Sequence, residues 1–153
     1  MAYRHTQIGW VVLNTGTAGL VFVWWLERNL PVHYQRQVPT LLAAAVLLLV
    51  MILFGTLTTF VDREFVHLRF GPGLVRRKFR IGDIAEGMVV RNRWWMGWGI
   101  HRWPDPHGGW LFNVSGLDAV ELRLKDGRVV RIGTDEPHRL LDAIKGVLGG
   151  RLT

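Results

Sequence analysis

Two long apolar runs open the chain, and shorter segments with a strand-like alternation follow them. Residues 8–26 form 19 positions without an ionisable side chain, and residues 40–61 form 22 more, wholly apolar from Leu41 to Phe54. As helix, at about 1.5 Å per residue, these reach about 28 and about 33 Å. The hydrocarbon core of a bilayer is about 30 Å thick, so each run is expected to be a transmembrane helix. A chain of 153 residues is too short to wrap two helices that are apolar all round. Trp10, Trp24 and Trp25 flank the first run, and Tyr34 and Phe60 the second, where interfacial aromatic belts lie. Trp24 to Arg28 offers no small-residue cleavage site, so the first run reads as a retained anchor. Asn14, Gly16 and Gly19 are expected helix-packing positions, small or polar enough to admit a close neighbour. That neighbour is either the second helix or a separate subunit.

Beyond residue 61 the pattern changes. Glu64 to Phe70 alternates and stops at Gly71-Pro72-Gly73, which predicts a strand and a turn. Leu74 to Ile81 and Ile84 to Arg93 read as two more strands, separated by Gly82-Asp83. Ala119 to Leu124 alternates with Val120, Leu122 and Leu124 on one face. A two-residue turn at Asp126-Gly127 would set Leu122 opposite Arg131 and bring a charge onto that face. A three-residue loop with Gly127 left-handed instead pairs Leu122 with Val130 and Val120 with Ile132, leaving Arg128 at the rim. Thr134 or Asp135 then caps a helix whose apolar face is Leu140, Leu141, Ile144, Val147 and Leu148, with Gly149-Gly150 after it. The expected organisation is a transmembrane hairpin over residues 1–61 and a small β-barrel or sandwich, capped by a C-terminal helix, over residues 62–153.

Charge refines this picture. The chain carries 19 Lys/Arg against 12 Asp/Glu, a formal net charge of +7. Arg63, Arg69, Arg76, Arg77, Lys78 and Arg80 follow the second run, whereas the segment between the runs holds Arg28 and Arg36. The positive-inside rule then places both termini in the cytoplasm, as in a multi-pass protein of a bacterial inner membrane. The absence of cysteine excludes disulfides, zinc–thiolate sites, iron–sulfur clusters and a thiol nucleophile.

Three segments read together carry a family resemblance: Arg69-Phe-Gly-Pro-Gly73, Gly97-Trp-Gly-Ile100 and Gly127 through Ile132-Gly-Thr-Asp-Glu-Pro137. They resemble the bacterial pleckstrin-homology-like (PH-like) membrane proteins, in which a transmembrane hairpin precedes a PH-like domain. The resemblance covers about residues 60–148. It implies two roughly orthogonal sheets capped by the C-terminal helix, and no enzymatic activity. His101 departs from it, standing where Arg would be expected.

Two groups of residues are candidates for function. Arg76, Arg77, Lys78 and Arg80 form a basic strand suited to anionic lipid, each cation near a charged leaflet being worth about 1 kcal/mol. Lys78-Phe79-Arg80 also resembles the Lys-x-Arg element of inositol-phosphate-binding PH domains. The segment 91–110 holds Trp94, Trp95, Trp98, Trp103 and Trp110 among Arg91, Arg93 and Arg102. About half of those rings are expected in the core, and the rest to form a membrane- or partner-contacting surface. His101, Asp105 and His107 are the nearest approach to a metal site, but intervening prolines hold no register that would converge them. Ser115 has no His/Asp pattern around it, and no phosphate loop or His-Glu-x-x-His helix is present.

The expectation is therefore a non-catalytic, membrane-anchored binding or scaffolding module. It has no cofactor and no metal. Its partners are membrane lipids and a membrane or peripheral protein, and not nucleic acid. The alternative is an accessory subunit of a larger membrane complex that docks through its hairpin.

Overall fold

A computed structural model describes residues 2–29, 37–103 and 109–149. The chain begins with a strand, β1 (Tyr3–Ile8), that leads into helix α1 (Trp10–Asn29). Helix α2 (Gln37–Phe54) returns to β2 (Thr56–Val61), which lies antiparallel to β1 with Tyr3 opposite Val61 and Ile8 opposite Thr56. Gly9 N–H donates to the Gly55 carbonyl at 2.8 Å across the base of the two helices. The helical hairpin is thus an excursion between neighbouring strands of one sheet.

That first sheet continues through β3 (Phe65–Phe70) and β4 (Val75–Arg80), in the order β1-β2-β3-β4. The second sheet holds β5 (Ile84–Arg91), β6 (Gly99–Trp103), β7 (Gly109–Asn113), β8 (Asp118–Leu124) and β9 (Val129–Gly133), in the order β5-β8-β9-β7-β6. All its pairings are antiparallel except β7 with β9. Helix α3 (Pro137–Gly149) closes the chain. Val66, Leu68 and Phe70 of β3 meet Phe112, Val120, Leu122, Val130 and Ile132 of the second sheet, and Leu140, Leu141 and Ile144 of α3 complete the core.

The β8–β9 turn follows the expected register. Val120 pairs with Ile132 and Leu122 with Val130. Leu124 N–H donates to the Arg128 carbonyl, and Gly127, at φ +87°, donates to the Leu124 carbonyl. Helix α3 buries Leu140, Leu141 and Ile144, and Thr134 Oγ1 accepts from the Glu136 N–H at 3.1 Å just before it.

Three expectations are corrected. No helix among the described residues is long and apolar enough to cross a membrane, so the two-span transmembrane hairpin does not hold. With it go the multi-pass inner-membrane location and the cytoplasmic assignment of the termini that rested on it. The reason is that hydropathy runs through changes of secondary structure. The 22-residue apolar run is helix only to Phe54, and its last six residues are β2. Helix α2 is 18 residues, about 27 Å, and it begins at Gln37. Helix α1 takes in Asn14, Thr15, Thr17, Glu27, Arg28 and Asn29 with its apolar residues. Finally, the two sheets do not close into a barrel, because no ladder joins an edge of one to an edge of the other. Pro31, Tyr34, Arg36 and Gly150 lie outside the described residues.

Candidate functional site

The basic segment Arg76–Arg80 is β4, the edge of the first sheet. Its pairing with β3 sets Arg77 opposite Leu68 and Phe79 opposite Val66, on the side of the core. Arg76, Lys78 and Arg80 stand opposite Arg69, His67 and Phe65 on the outer side. Arg76, Arg77, Lys78 and Arg80 are all exposed. Four cations on an edge strand also serve the fold, since unpaired charged edges resist pairing with other chains.

The structure adds to this strand what the linear motif lacked. A cleft of about 350 Å³ opens between β4 and the second sheet, lined by Arg77, Lys78, Phe79, Arg80, Asp83, Trp110, Phe112, Leu124, Arg128 and Val130. Arg128 comes from the β8–β9 turn, and its position at the rim was the signal that could have placed it here. Arg128 Nε lies 2.7 Å from Asp126 Oδ2, and two hydrogen bonds from Arg128 hold the exposed Asp126 carboxyl below its usual range. Arg77 and Arg80 have no ion pair among the described residues, and Lys78 sits over the Phe65 ring at 5.0 Å. Trp110 stacks on Phe112 with 6.2 Å between centroids, and Arg102 lies over Trp110 at 5.9 Å.

The outer face of the first sheet is also cationic. Strand alternation places Arg4, Arg69, Arg76, Lys78 and Arg80 there, with no carboxylate among the outward positions of the four strands. Phe60 stacks on His67 at 4.2 Å in the middle of this face. Asp62, in the β2–β3 turn, accepts from Glu64 and Phe65 N–H and contacts His67 Nε2, all at 2.7 Å. The backbone N–H groups, foremost that of Glu64, stabilise its charged form and bring its pKa down to about 2. Across the sheet, burial pushes the Tyr3 hydroxyl up to about 12.

Trp95, Met96 and Trp103 of the tryptophan-rich segment lie on the outer face of the second sheet. No tryptophan of this segment is in the buried core: Trp94 is 71% and Trp95 60% exposed, Trp98 and Trp110 are also exposed, and Trp103 is half-buried. The expectation that about half of them fill the core is corrected. Trp110 lies with Phe112 on the cleft side, whereas Trp103 lies on the other side of the sheet over a polar cluster. Arg131 Nε donates to Glu121 Oε2 at 2.8 Å, Arg131 Nη1 donates to Asn92 Oδ1 at 3.3 Å, and its guanidinium lies over Trp103 at 4.8 Å. Gly109 allows Trp103 to approach, since a Cβ there would lie 2.3 Å from the ring. Arg93 sits over Trp95 at 4.7 Å, while Arg91 faces Asp118 across the ladder. Sequence reasoning missed Glu121 and Arg131, which look like ordinary outward positions of strands.

In the helical hairpin, Gly16 is the buried residue of α1, and a Cβ there would lie 2.4 Å from Met51 Cγ. Gly19 faces Leu47 of α2 in the same way, at 3.2 Å. Asn14 is exposed, on a shallow surface with Thr17, Ala18, Val21, Phe22, Trp24 and Trp25. Phe22, Trp24, Leu41, Leu42 and Ile52 are each more than half exposed, an apolar surface of the kind that marks a contact site.

Among the described residues, no three His, Asp or Glu side chains are placed to share a metal ion. Asp105 and His107 lie outside the described residues, while His101 is half-buried on β6. Ser115 N–H donates to Asn113 Oδ1 at 3.2 Å, and its carbonyl accepts from Gln7 Nε2 at 2.9 Å, both structural roles. No protein-family model matches the chain, and no curated protein matches it.

Proposed function

We propose that this protein is a non-catalytic binding module whose β4 edge and adjoining cleft hold a phosphate-bearing anionic ligand. The observation that carries this reading is the cleft itself, lined by Arg77 and Arg128, with Lys78 and Arg80 contributing from the outer side of the β4 edge and Asp83 and the Arg128-bound Asp126 as the nearby carboxylates. Guanidinium groups suit phosphate oxygens because their forked donors can bind two at once. The aromatic floor of Phe79, Trp110 and Phe112 lowers the local polarity, which strengthens each charge interaction above it. The outer cations Arg69, Arg76 and Arg4 extend the positive field and draw an anion in from a distance.

The test is calorimetric titration of the full chain with inorganic tripolyphosphate, beside co-sedimentation with vesicles that carry or lack anionic headgroups. Binding in either arm is expected to weaken about 100-fold in Arg77→Glu/Lys78→Glu/Arg80→Glu, taking about 1 kcal/mol per cation. Vesicle binding without tripolyphosphate binding identifies a headgroup, and the reverse identifies a free phosphate compound. Binding that is unchanged in the triple variant, or absent in both arms, overturns the reading.

A second reading rests on the hairpin. Thr17 and Ala18 form a shallow trough between Phe22, Trp25 and Asn14. Small residues flanked by large ones fit a ridge of another helix, and Asn14 would offer it a hydrogen bond. In this reading the protein is an accessory subunit, and Asn14→Leu loosens its assembly without altering the cleft.

A further inference from the structure

The two open sheets present four edges, and three of them carry a feature that discourages a new strand. β4 has its four cations. β5 carries a bulge between Ile84 and Glu86, and α3 presses on it so closely that a Cβ at Gly87 would lie 2.9 Å from Leu141 Cδ1. β1 is flanked by the start of α3, where His5 Nε2 lies 2.6 Å from Asp135 Oδ1. The remaining edge, β6, has none of these. It is Gly99-Ile-His-Arg-Trp103, with a single cation, and no backbone hydrogen bond outside its β7 ladder is found among the described residues.

Beside that edge lies a second cavity, of about 410 Å³, lined by Trp95, Met96, His101, Arg102 and Trp103. His101 carries a buried Nε2 with no hydrogen-bond partner among the described residues. Arg93 is exposed over Trp95, and Arg102 is exposed on the β6 edge, where it also lies over Trp110. Glu121 on this face is buried and already held by Arg131 and Arg123, and Glu86, also on this face, lies on β5 at the opposite edge of the sheet. An unguarded strand edge, an aromatic cavity beside it and unmatched cations on its margin suit a partner that is extended, acidic and armed with one apolar side chain. We infer that β6 accepts an acidic peptide segment of another protein as an added strand, its apolar residue seated between Trp95 and Trp103. Main-chain hydrogen bonds to the edge would supply affinity, and the cavity with Arg93 and Arg102 would supply selectivity. Trp94 and Trp95 meet edge to face, at 85° to each other, so they do not form the parallel platform on which successive bases stack.

The test uses the full chain and a fluorescein-labelled ten-residue peptide of alternating Val and Glu with a central Leu. A counterpart has Lys for every Glu. The acidic peptide is expected to bind at least about tenfold more tightly, and Arg93→Glu/Arg102→Glu is expected to reverse that preference. Trp95→Ala, a change at an exposed ring, is expected to weaken the acidic peptide while leaving tripolyphosphate binding at the β4 cleft unaltered. Bound peptide should slow amide exchange at residues 99–103 and not at 75–80. The inference is overturned by equal binding of both peptides, by protection appearing at β4, or by no binding below about 1 mM. A single-stranded oligonucleotide that displaces the peptide and binds more tightly also overturns it, in favour of nucleic acid.

Discussion

Arg131 and Glu121 face each other across β8 and β9, 2.8 Å apart, on the side of the sheet away from the core. Only 7% of the Glu121 side chain reaches solvent, and its partner Arg131 lies over the Trp103 ring. Removing Arg131 leaves the buried Glu121 charge with only the longer contact to the mostly exposed Arg123. Arg131→Met is expected to destabilise the fold by about 3 kcal/mol in urea unfolding. Arg123→Met should cost under about 1 kcal/mol, since Arg123 is mostly exposed and contacts Glu121 at 3.4 Å. The double change Glu121→Leu/Arg131→Met should recover most of the loss, which shows that the unpaired charge and not lost packing sets the cost.

α1 and α2 approach closely at Gly16, where a Cβ would lie 2.4 Å from Met51 Cγ. Gly16→Leu should cost about 2 kcal/mol through overpacking. Met51→Ala in the same chain should return part of that cost, a non-additivity readable from two single variants and the double. Asn14→Leu should leave stability within about 0.5 kcal/mol, because Asn14 is exposed and makes no hydrogen bond among the described residues. The same variant therefore separates assembly through the hairpin from folding of the hairpin.

Gly127 holds the β8–β9 turn at φ +87°, a backbone region that side chains other than glycine adopt at a cost. Gly127→Ala should lower stability by about 1 kcal/mol, and Gly146→Ala, where a Cβ meets open space in α3, should raise it slightly. Parallel unfolding curves with unchanged slope would check both. A neutral Gly127→Ala would mean that the turn relaxes to another type.

The β8–β9 hairpin and α3 were legible because their information is local. A two-residue alternation, one glycine and a three-to-four-residue apolar repeat set register and face within 30 residues of chain. The hairpin of helices was misread for the opposite reason. Whether Thr56 to Val61 continues a helix or starts a strand depends on Tyr3 to Ile8, some 50 residues away, and hydropathy is the same in either case. The basic strand was legible as a motif, but its cleft was not, since Trp110 and Arg128 reach it through the pairing of β7 with β9. The tryptophans were misjudged because a ring that covers the outside of a sheet and one that fills its inside look alike in composition. Glu121 and Arg131 are the only hint that this outer face is covered, and as single charges in alternating strands they carry no distinguishing pattern.

Asp62 ties the β2–β3 turn together through two backbone N–H groups and His67. Its pKa in the folded chain, about 2, lies below the ordinary 3.8. A depressed carboxyl stabilises the fold when it is ionised. That contribution is present above pH about 4 and is lost as the pH falls toward 2. The side chain is 41% exposed, so solvent screening reduces the effect to about 1 kcal/mol. Asp62→Asn keeps an oxygen acceptor for the turn and removes the titration. Urea midpoints of the two proteins should therefore differ at pH 5 and converge by pH 2. A difference that persists unchanged at pH 2 would mean that Asp62 acts through the shape of the turn and not through its charge.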